Sequence, residues 1–146
     1  MSPTDAVIVQ AVRTPQGKHG GVFADVHSER LSVPLVYRML DDTGLSGDEV
    51  DDVVWGCAKQ VKEQTNNIAR VTALTSGLGE RVPGTTIDRL CGSSAQAIIT
   101  ARDSIVAGQR ECIIACGVEN MSRVERDYGI GSFPGIAERY DADALA

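Results

Sequence analysis

One cysteine stands where the sequence could supply a reactive thiol. Cys91 lies in the stretch "TTIDRLCGSSAQAI", between a short β-branched run and a row of small residues. A strand that ends near Asp88 and a helix that starts near Cys91 would place the thiol at a helix N-terminus, where unpaired backbone N–H groups and the helix dipole favour a thiolate. The pattern therefore predicts a nucleophile at the carboxyl end of a sheet, where open α/β folds bind their ligands.

The residues after Cys91 are small enough to leave its sulfur open to a substrate. Gly92, Ser93 and Ser94 carry little side-chain bulk, so a carbonyl group could approach the thiol closely. The backbone N–H of Cys91 is the predicted donor to the oxyanion that forms on attack. The same small residues would also let a helix pack closely against a sheet, and their spacing is compatible with both interpretations.

The other three cysteines offer less chemistry. Cys57, Cys112 and Cys116 lie in apolar runs and are predicted to be inert core thiols, and we expect all four cysteines to be free. Cys112 and Cys116 would share one face of a strand but stand too far apart to chelate one metal ion tightly. The only histidines that could add ligands are His19 and His27. The sequence therefore predicts no metal site.

Two other functions, a dinucleotide-binding loop and a histidine base for Cys91, agree less well with the sequence. The glycines of "CGSSAQA" and of "GIGSFPG", residues 129–135, lack the spacing of a dinucleotide fingerprint, and no strand precedes the second stretch. His19, in "GKHGG", could act as the base for Cys91, but a lone histidine between glycines is more typical of a solvated loop. Neither pattern predicts a nucleotide site or a catalytic pair.

Hydrophobic patterning predicts strands and helices in alternation. Compact apolar or β-branched runs predict strands at residues 6–12, 53–57, 84–88 and 111–117, and the nearly continuous run 6–12 is typical of a buried central strand. Strands separated by helices pair in parallel through right-handed crossovers. The chain is therefore predicted to form a layered α/β domain.

Helical spacing predicts three helices between these strands. The first should begin near residues 31–33, because Pro34 must lie in its first turn, and end at Gly44. The second should present Ile68, Val71, Leu74 and Thr75 and end at Gly77, and the third should span residues 92–107 with Gly108 as its stop. Ser46 and Glu49 form a predicted capping box for one short turn.

Composition narrows the classes of function. The 146 residues include 42% hydrophobic ones and carry a formal net charge of −6 with no basic cluster, so one domain and no nucleic-acid partner are expected. No apolar run could cross a bilayer and no leader is visible, which predicts a cytoplasmic protein without membrane contact. Periodicity fades across residues 118–146, which suggests that a longer chain or a partner completes the core.

Four stretches in this order resemble the thiolase family: "VIVQAVRTPQGKHGGVF", "VVWGCAKQVKEQTNNIAR", "TTIDRLCGSSAQAI" and "CGVENMSR". The resemblance implies a layered α/β/α domain with a mixed, mainly parallel sheet, of which this chain is the N-terminal half. Residues 1–117 would be the domain that carries the nucleophile, and residues 118–146 the start of a loop domain. The wording is most similar to the degradative 3-ketoacyl-CoA branch of fatty acid β-oxidation, with the acetoacetyl-CoA branch left open.

The resemblance also implies a reaction and its substrates. Cys91 would attack the keto carbon of a 3-ketoacyl-CoA, acetyl-CoA would leave, and coenzyme A, as co-substrate, would take the acyl group from sulfur. The reverse sequence is a Claisen condensation, and no further cofactor is implied. The family's activating histidine and second cysteine lie in its C-terminal half and match neither His19 nor His27, so this chain alone is expected to be inactive.

A homodimer or dimer of dimers is also implied, with the strand near residues 85–87 as a contact. The alternative is a non-catalytic half-domain that assembles with a partner. Asp88 stands where many relatives have asparagine and Ala95 is smaller than usual, which leaves the acyl-chain preference open; a carboxylate at position 88 would disfavour a thiolate unless Arg89 offsets it. Met121 and Ser122 match the family's "M-S" and are expected to support the site structurally.

Overall fold

The computed structural model describes residues 5–124, in which three helices and three strands alternate. The helices are α1 (Ser28–Thr43), α2 (Ile68–Thr75) and α3 (Ser93–Val106), and the strands are β1 (Asp52–Gly56), β2 (Gly84–Ile87) and β3 (Ile113–Gly117). All three strands are parallel, in the order β2-β1-β3. The predicted α/β class is confirmed, as are the strands predicted over 53–57, 84–88 and 111–117.

The sheet separates two helical layers. Every second residue from Val53 to Cys57 points to the same side of the sheet: Val53 and Trp55 lie on β1, and Cys57 follows it directly. These three side chains are buried in a core that also holds residues of α1 and α2. The intervening Gly56 faces the start of α3 instead. Helices therefore cover both faces of the parallel sheet, which is the layered arrangement predicted from the alternating pattern.

The prediction of a central strand at residues 6–12 is wrong for this structure. The segment has no strand structure, and Val7, Ile8 and Val9 are 55%, 77% and 73% exposed. The central place in the sheet belongs to β1, whose two edges are taken by β2 and β3. An apolar run indicates that burial is favourable, but it does not say which strand is the neighbour.

The first helix begins earlier than predicted. It starts at Ser28, so Pro34 lies in the second turn rather than the first. The backbone N–H and hydroxyl of Ser28 both donate to Glu63 Oε1, at 2.7 and 2.8 Å, and this contact across 35 residues stabilises the additional turn. The predicted stop is confirmed, since Gly44 ends α1 with a left-handed φ of 71°.

The buried faces of α2 and α3 consist of smaller residues than the sequence pattern predicted. In α2 the buried residues are Ile68, Ala69, Thr72 and Ala73, while Leu74 is 49% exposed. In α3 the sheet is covered by Ala97 and Ala101, and Ile98 and Ile99 are nearly half exposed. Small residues allow a helix to approach a sheet closely, so the size of a side chain was a poor guide to its burial.

Two shorter features complete the description. A 3-10 turn at Gly47–Glu49 carries the predicted capping box, in which Glu49 Oε2 accepts hydrogen bonds from the N–H and hydroxyl of Ser46. Another 3-10 turn, Lys62–Gln64, precedes α2. The stretch "GIGSFPG" and most of the predicted loop domain, 118–146, lie outside the described residues. In the described part of the chain, the helices are too short or too polar to cross a membrane.

Candidate active site

Cys91 lies in the short turn between β2 and α3 and is exposed. The turn is shaped by its own side chains: Asp88 Oδ1 accepts from the N–H of Leu90 at 2.8 Å. Ser93 Oγ donates to the carbonyl of Leu90 at 2.6 Å and accepts from the N–H of Arg89 at 2.8 Å. Leu90 has a φ of 49°, a left-handed conformation that a leucine adopts only when its surroundings require it. The turn thus presents Cys91 outward.

Two backbone amides that follow Cys91 form hydrogen bonds within the turn. The N–H groups of Gly92 and Ser93 donate to the carbonyls of Arg89 and Leu90, each at 3.0 Å. Gly92 is the N-cap of α3 and provides no side-chain cap. The two bonds of the turn therefore use the amides that follow Cys91 and leave its own amide as the predicted oxyanion donor.

The other three cysteines are in a different environment. Burial raises the pKa of the Cys57 thiol to about 12 and that of Cys116 to about 11, and burial also raises the pKa of Cys112. All four cysteines are free, and Cys91 alone among them is exposed. At neutral pH the three core thiols are protonated, as expected for inert packing residues.

The N-terminus of α3 rests directly on two glycines at the carboxyl edge of the sheet. Gly56 of β1 and Gly117 of β3 are paired in register. A Cβ on Gly56 would overlap the backbone of Ser93 and lie 2.6 Å from Ser94 Cα, and a Cβ on Gly117 would overlap Ser94 Oγ. The packing interpretation of the small residues is therefore also correct: Ser93 and Ser94 allow close contact as well as leaving Cys91 open.

The strand that leads to Cys91 is fixed by the stretch "NNIAR". Asn67 Nδ2 donates to the carbonyl of Gly84 at 2.7 Å, and Asn67 Oδ1 accepts from Thr86 Oγ1 at 2.8 Å. The guanidinium of Arg70 donates to the carbonyl of Val82, just before β2. These contacts attach α2 to β2 along its length and so determine where the turn at Cys91 begins.

A buried glutamine joins the loops that follow β1 and β3. The side chain of Gln64 is fully buried, and its Nε2 donates to the carbonyl of Lys59 at 2.8 Å and to Glu119 Oε1 at 2.6 Å. Its Oε1 accepts from Ser28 Oγ at 3.0 Å and from the N–H of Asn120 at 2.9 Å. We call Gln64, Glu119 and their partners the edge network, because they lie at the carboxyl edge of the sheet.

An ion pair lies beside the edge network. Arg123 Nε donates to Glu63 Oε2 at 2.6 Å, and Ser28 donates to the other oxygen of the carboxylate. Burial by itself would raise the pKa of Glu63, but the hydrogen bonds from Arg123 and Ser28 outweigh it, so the pKa lies below its ordinary value. The carboxylate is therefore held in its charged form, and His27 stands 3.8 Å from it.

Within residues 5–124, neither His19 nor His27 forms a hydrogen bond with Cys91. His19 lines a cleft of 540 Å³ with Arg13, Lys18 and Met121, and Cys91 is not part of that cleft. Ser122, which was expected to support the site structurally, forms one long-range contact: its Oγ accepts a hydrogen bond from the N–H of Gly20 at 2.9 Å. Across the described residues, no group of three His, Cys, Asp or Glu side chains could hold a metal ion.

Arg89 was considered as a cation that could offset the charge of Asp88, but in the structure the two side chains bond to other partners. The carboxylate of Asp88 is engaged by the N–H of Leu90, and the guanidinium of Arg89 donates to Gln96 Oε1 at 2.5 Å. No hydrogen bond or ion pair joins Asp88 to Arg89 in the described structure. Arg89 therefore braces the first turn of α3 rather than neutralising its neighbour.

Sequence reasoning missed the residues that hold the turn in place. Gly117 ends one predicted strand and Gly56 is the second-last residue of another, and a glycine at that place was a visible signal of close approach by another backbone. Gln64 and Glu119 gave no such signal, because polar residues between predicted elements are usually exposed. Gln64 is buried, whereas Glu119 is exposed and reaches Gln64 through a hydrogen bond that spans 55 residues.

Comparisons with known proteins agree with this architecture. A family model described as "Thiolase, N-terminal domain" matches residues 6–142. A 3-ketoacyl-CoA thiolase of Chromohalobacter salexigens is 41% identical over 146 residues, covering 99% of this chain and 37% of that protein. A 3-ketoacyl-CoA thiolase of Pectobacterium carotovorum is 42% identical over 133 residues, covering 90% of this chain and 34% of that protein.

A solved structure is similar in shape as well as in sequence. The Bacillus anthracis acetyl-CoA acetyltransferase superposes with a TM-score of 0.78 at 39% identity, covering 82% of this chain and 30% of that one. This chain thus spans about a third of the length of the curated relatives that it matches.

Proposed function

The chain belongs to the thiolase family, whose N-terminal domain it matches, and on that premise we propose that it supplies the nucleophile for acyl transfer between a 3-ketoacyl-CoA and coenzyme A. The observation that carries the proposal is the placement of Cys91. It is the exposed cysteine, and it stands between the carboxyl end of β2 and the N-terminus of α3. At that position the sulfur is open to the approach of a substrate carbonyl, as a nucleophile requires.

In the proposed thiolysis, the Cys91 thiolate attacks the 3-keto carbon, and the backbone N–H of Cys91 donates to the oxyanion. The bond between C2 and C3 then breaks, its electron pair stays with the acetyl-CoA fragment as an enolate, and protonation at C2 releases acetyl-CoA. The acyl group remains on Cys91 as a thioester. The thiolate of a second coenzyme A attacks this thioester and restores free Cys91, and the reverse sequence is the Claisen condensation.

The relatives favour a ketoacyl substrate without fixing its chain length. Several are named 3-ketoacyl-CoA thiolase, and the structural neighbour is named acetyl-CoA acetyltransferase. We infer that acyl-CoA and coenzyme A are the partners of this chain's site. The family resemblance implies that the base and the second acid/base come from the C-terminal half of a thiolase, whereas this chain matches the N-terminal domain.

A chimera tests the proposal. Residues 6–142 of this chain would replace the matching part of the Chromohalobacter salexigens thiolase, and thiolysis of acetoacetyl-CoA and of a longer 3-ketoacyl-CoA would be followed. We expect thiolysis together with an acyl thioester on Cys91, both lost in Cys91→Ser and both retained in the matched control Cys112→Ser. A folded chimera that forms no thioester on Cys91 would refute the proposal.

The same experiment separates a second candidate function, a non-catalytic half-domain that assembles with a partner. This function is favoured by the exposed Ile98 and Ile99 on α3, which offer an apolar surface for association. A chimera that assembles to the size of the relative's oligomer but forms no thioester would support it. Thioester formation on Cys91 would exclude it.

We also propose a homodimer formed through β2. In the described sheet β2 has a neighbour on one side only, and Thr85 on it is exposed. A second copy could pair with its free edge. Sedimentation of the chimera is expected to show a dimer or a dimer of dimers, weakened by Thr85→Lys, because a charged side chain on an exposed edge strand disfavours pairing with a second copy.

A further inference from the structure

The position of Cys91 depends on the two strand ends beneath it. The first turn of α3 contacts Gly56 through the backbone of Ser93 and Ser94, and it contacts Gly117 through the side chain of Ser94, so these two strand ends set its height above the sheet. Cys91 is only two residues before the helix begins at Ser93. A displacement of β1 relative to β3 at this edge would therefore move the first turn of α3, which begins two residues after Cys91.

Beyond the last paired residues, the two strand ends are joined mainly through Glu119. The N–H of Val118 donates to the carbonyl of Gly56 at 3.0 Å, and the chain then turns away from the sheet. One residue later, Glu119 Oε2 accepts from the N–H groups of Ala58 and Lys59, at 2.9 and 3.3 Å. A single carboxylate thus bridges the loop after β3 to the loop after β1.

The second oxygen of this carboxylate is fixed from below. Glu119 Oε1 accepts from Nε2 of the fully buried Gln64 at 2.6 Å. The same amide nitrogen donates to the carbonyl of Lys59 at 2.8 Å, so Gln64 and Glu119 hold the loop after β1 from two directions. Because hydrogen bonds to a charged acceptor are about twice as strong as neutral ones, removing the carboxylate should release this loop.

We propose that Glu119 is a positioning residue for Cys91: its carboxylate clamps the ends of β1 and β3, and thereby seats the N-terminus of α3 against the thiol. The inference rests on the proposed function only in taking Cys91 as the nucleophile. Glu119 does not touch the substrate in this proposal. It acts through the two glycines and the first turn of α3.

The test measures the rate at which iodoacetamide alkylates Cys91 in the native chain at neutral pH. A helix N-terminus favours a neighbouring anion by roughly two- to five-fold in an equilibrium constant, so Glu119→Ala is expected to slow alkylation of Cys91 by about that factor. Glu119→Gln keeps the volume and an oxygen for the amides of Ala58 and Lys59, and should restore most of the rate. Glu111→Ala is the matched control, because that glutamate is exposed at the opposite end of β3.

Circular dichroism and thermal unfolding accompany each measurement, so that rates are compared only between folded proteins. If Glu119→Ala does not fold, Glu119→Gln decides the matter: with only part of the clamp, it should still be measurably slower than Glu111→Ala. Alkylation of Cys91 at the wild-type rate or faster in folded Glu119→Ala would overturn the proposal. Where Glu119→Ala does not fold, a Glu119→Gln protein as fast as Glu111→Ala would overturn it. Because alkylation needs no acyl-CoA, the result stands apart from the thioester test of the proposed function.

Discussion

Replacing Gly56 with alanine should destabilise this chain strongly, because the new methyl group has no room. Its Cβ would lie 2.6 Å from Ser94 Cα and overlap the backbone of Ser93. Overpacking a core costs about 1–3 kcal/mol, and since the obstacle is backbone rather than a movable side chain, we expect about 3 kcal/mol here.

Gly117→Ala provides a contrast within the same contact. Its Cβ would overlap Ser94 Oγ, which is a side-chain atom, and would lie 2.8 Å from the carbonyl oxygen of Gly56. We expect a loss of about 2 kcal/mol. Removing the hydroxymethyl group with Ser94→Gly should recover about half of that loss. The same Ser94→Gly change should recover none of the loss caused by Gly56→Ala.

Urea unfolding followed by the fluorescence of Trp55 measures these differences. Trp55 is the only tryptophan and is fully buried in β1, so its emission reports on the sheet. With a denaturant dependence of about 1–3 kcal/mol/M, a loss of 3 kcal/mol moves the midpoint by about 1 M or more. A Gly56→Ala protein within about 0.5 kcal/mol of wild type, or equal rescue of both variants by Ser94→Gly, would refute the described contact.

Three further outcomes follow from the described contacts. The pKa of Glu63 is lowered in the folded chain, so its ionised carboxylate stabilises the fold above the ordinary glutamate pKa of about 4.3, and this stabilisation is lost as pH falls through the lower folded pKa. Glu63→Gln should therefore flatten the loss of stability below about pH 4.3. An unchanged dependence of unfolding free energy on pH would contradict this. Arg70→Ala should cost about 2 kcal/mol in urea unfolding by removing charged donors to the carbonyls before β2, and Arg70→Lys should recover only part of it; full recovery would argue against the two-donor contact. A disulfide reagent such as DTNB should react quickly with Cys91 in the native chain and with all four cysteines only after unfolding; rapid reaction of Cys57 in the folded protein would contradict its burial.

The sequence predicted the elements that carry Cys91, because they are defined by local signals. The strands over 53–57 and 84–88 are short β-branched runs, and the stops at Gly44 and Gly108 have the left-handed φ of 71° that favours glycine. The turn at Cys91 follows from the strand before it and the helix after it. Local chemistry was therefore enough to place the thiol at the carboxyl edge of the sheet.

The sequence could not predict features that depend on distant contacts. The start of α1 at Ser28 requires Glu63, and no local propensity indicates a partner 35 residues away. The run 6–12 is as apolar as a buried strand, yet its pattern cannot specify a neighbour. The prediction of which helix residues are buried failed for a related reason, since Ala97 and Ala101 of α3 are buried while larger neighbours are exposed.

The edge network shows why two distant polar stretches must fit each other. Gln64 is fully buried, so each amide group that lost its partner would cost about 1–3 kcal/mol. Its oxygen requires Ser28 Oγ and the N–H of Asn120, and its nitrogen requires the carbonyl of Lys59 and the carboxylate of Glu119. Only one relative placement of the loops after β1 and β3 satisfies all four partners together. The polar residues around "EQ" and "VEN" therefore select a single geometry for the sheet edge, and the apolar core, which tolerates small shifts, could not do so as sharply.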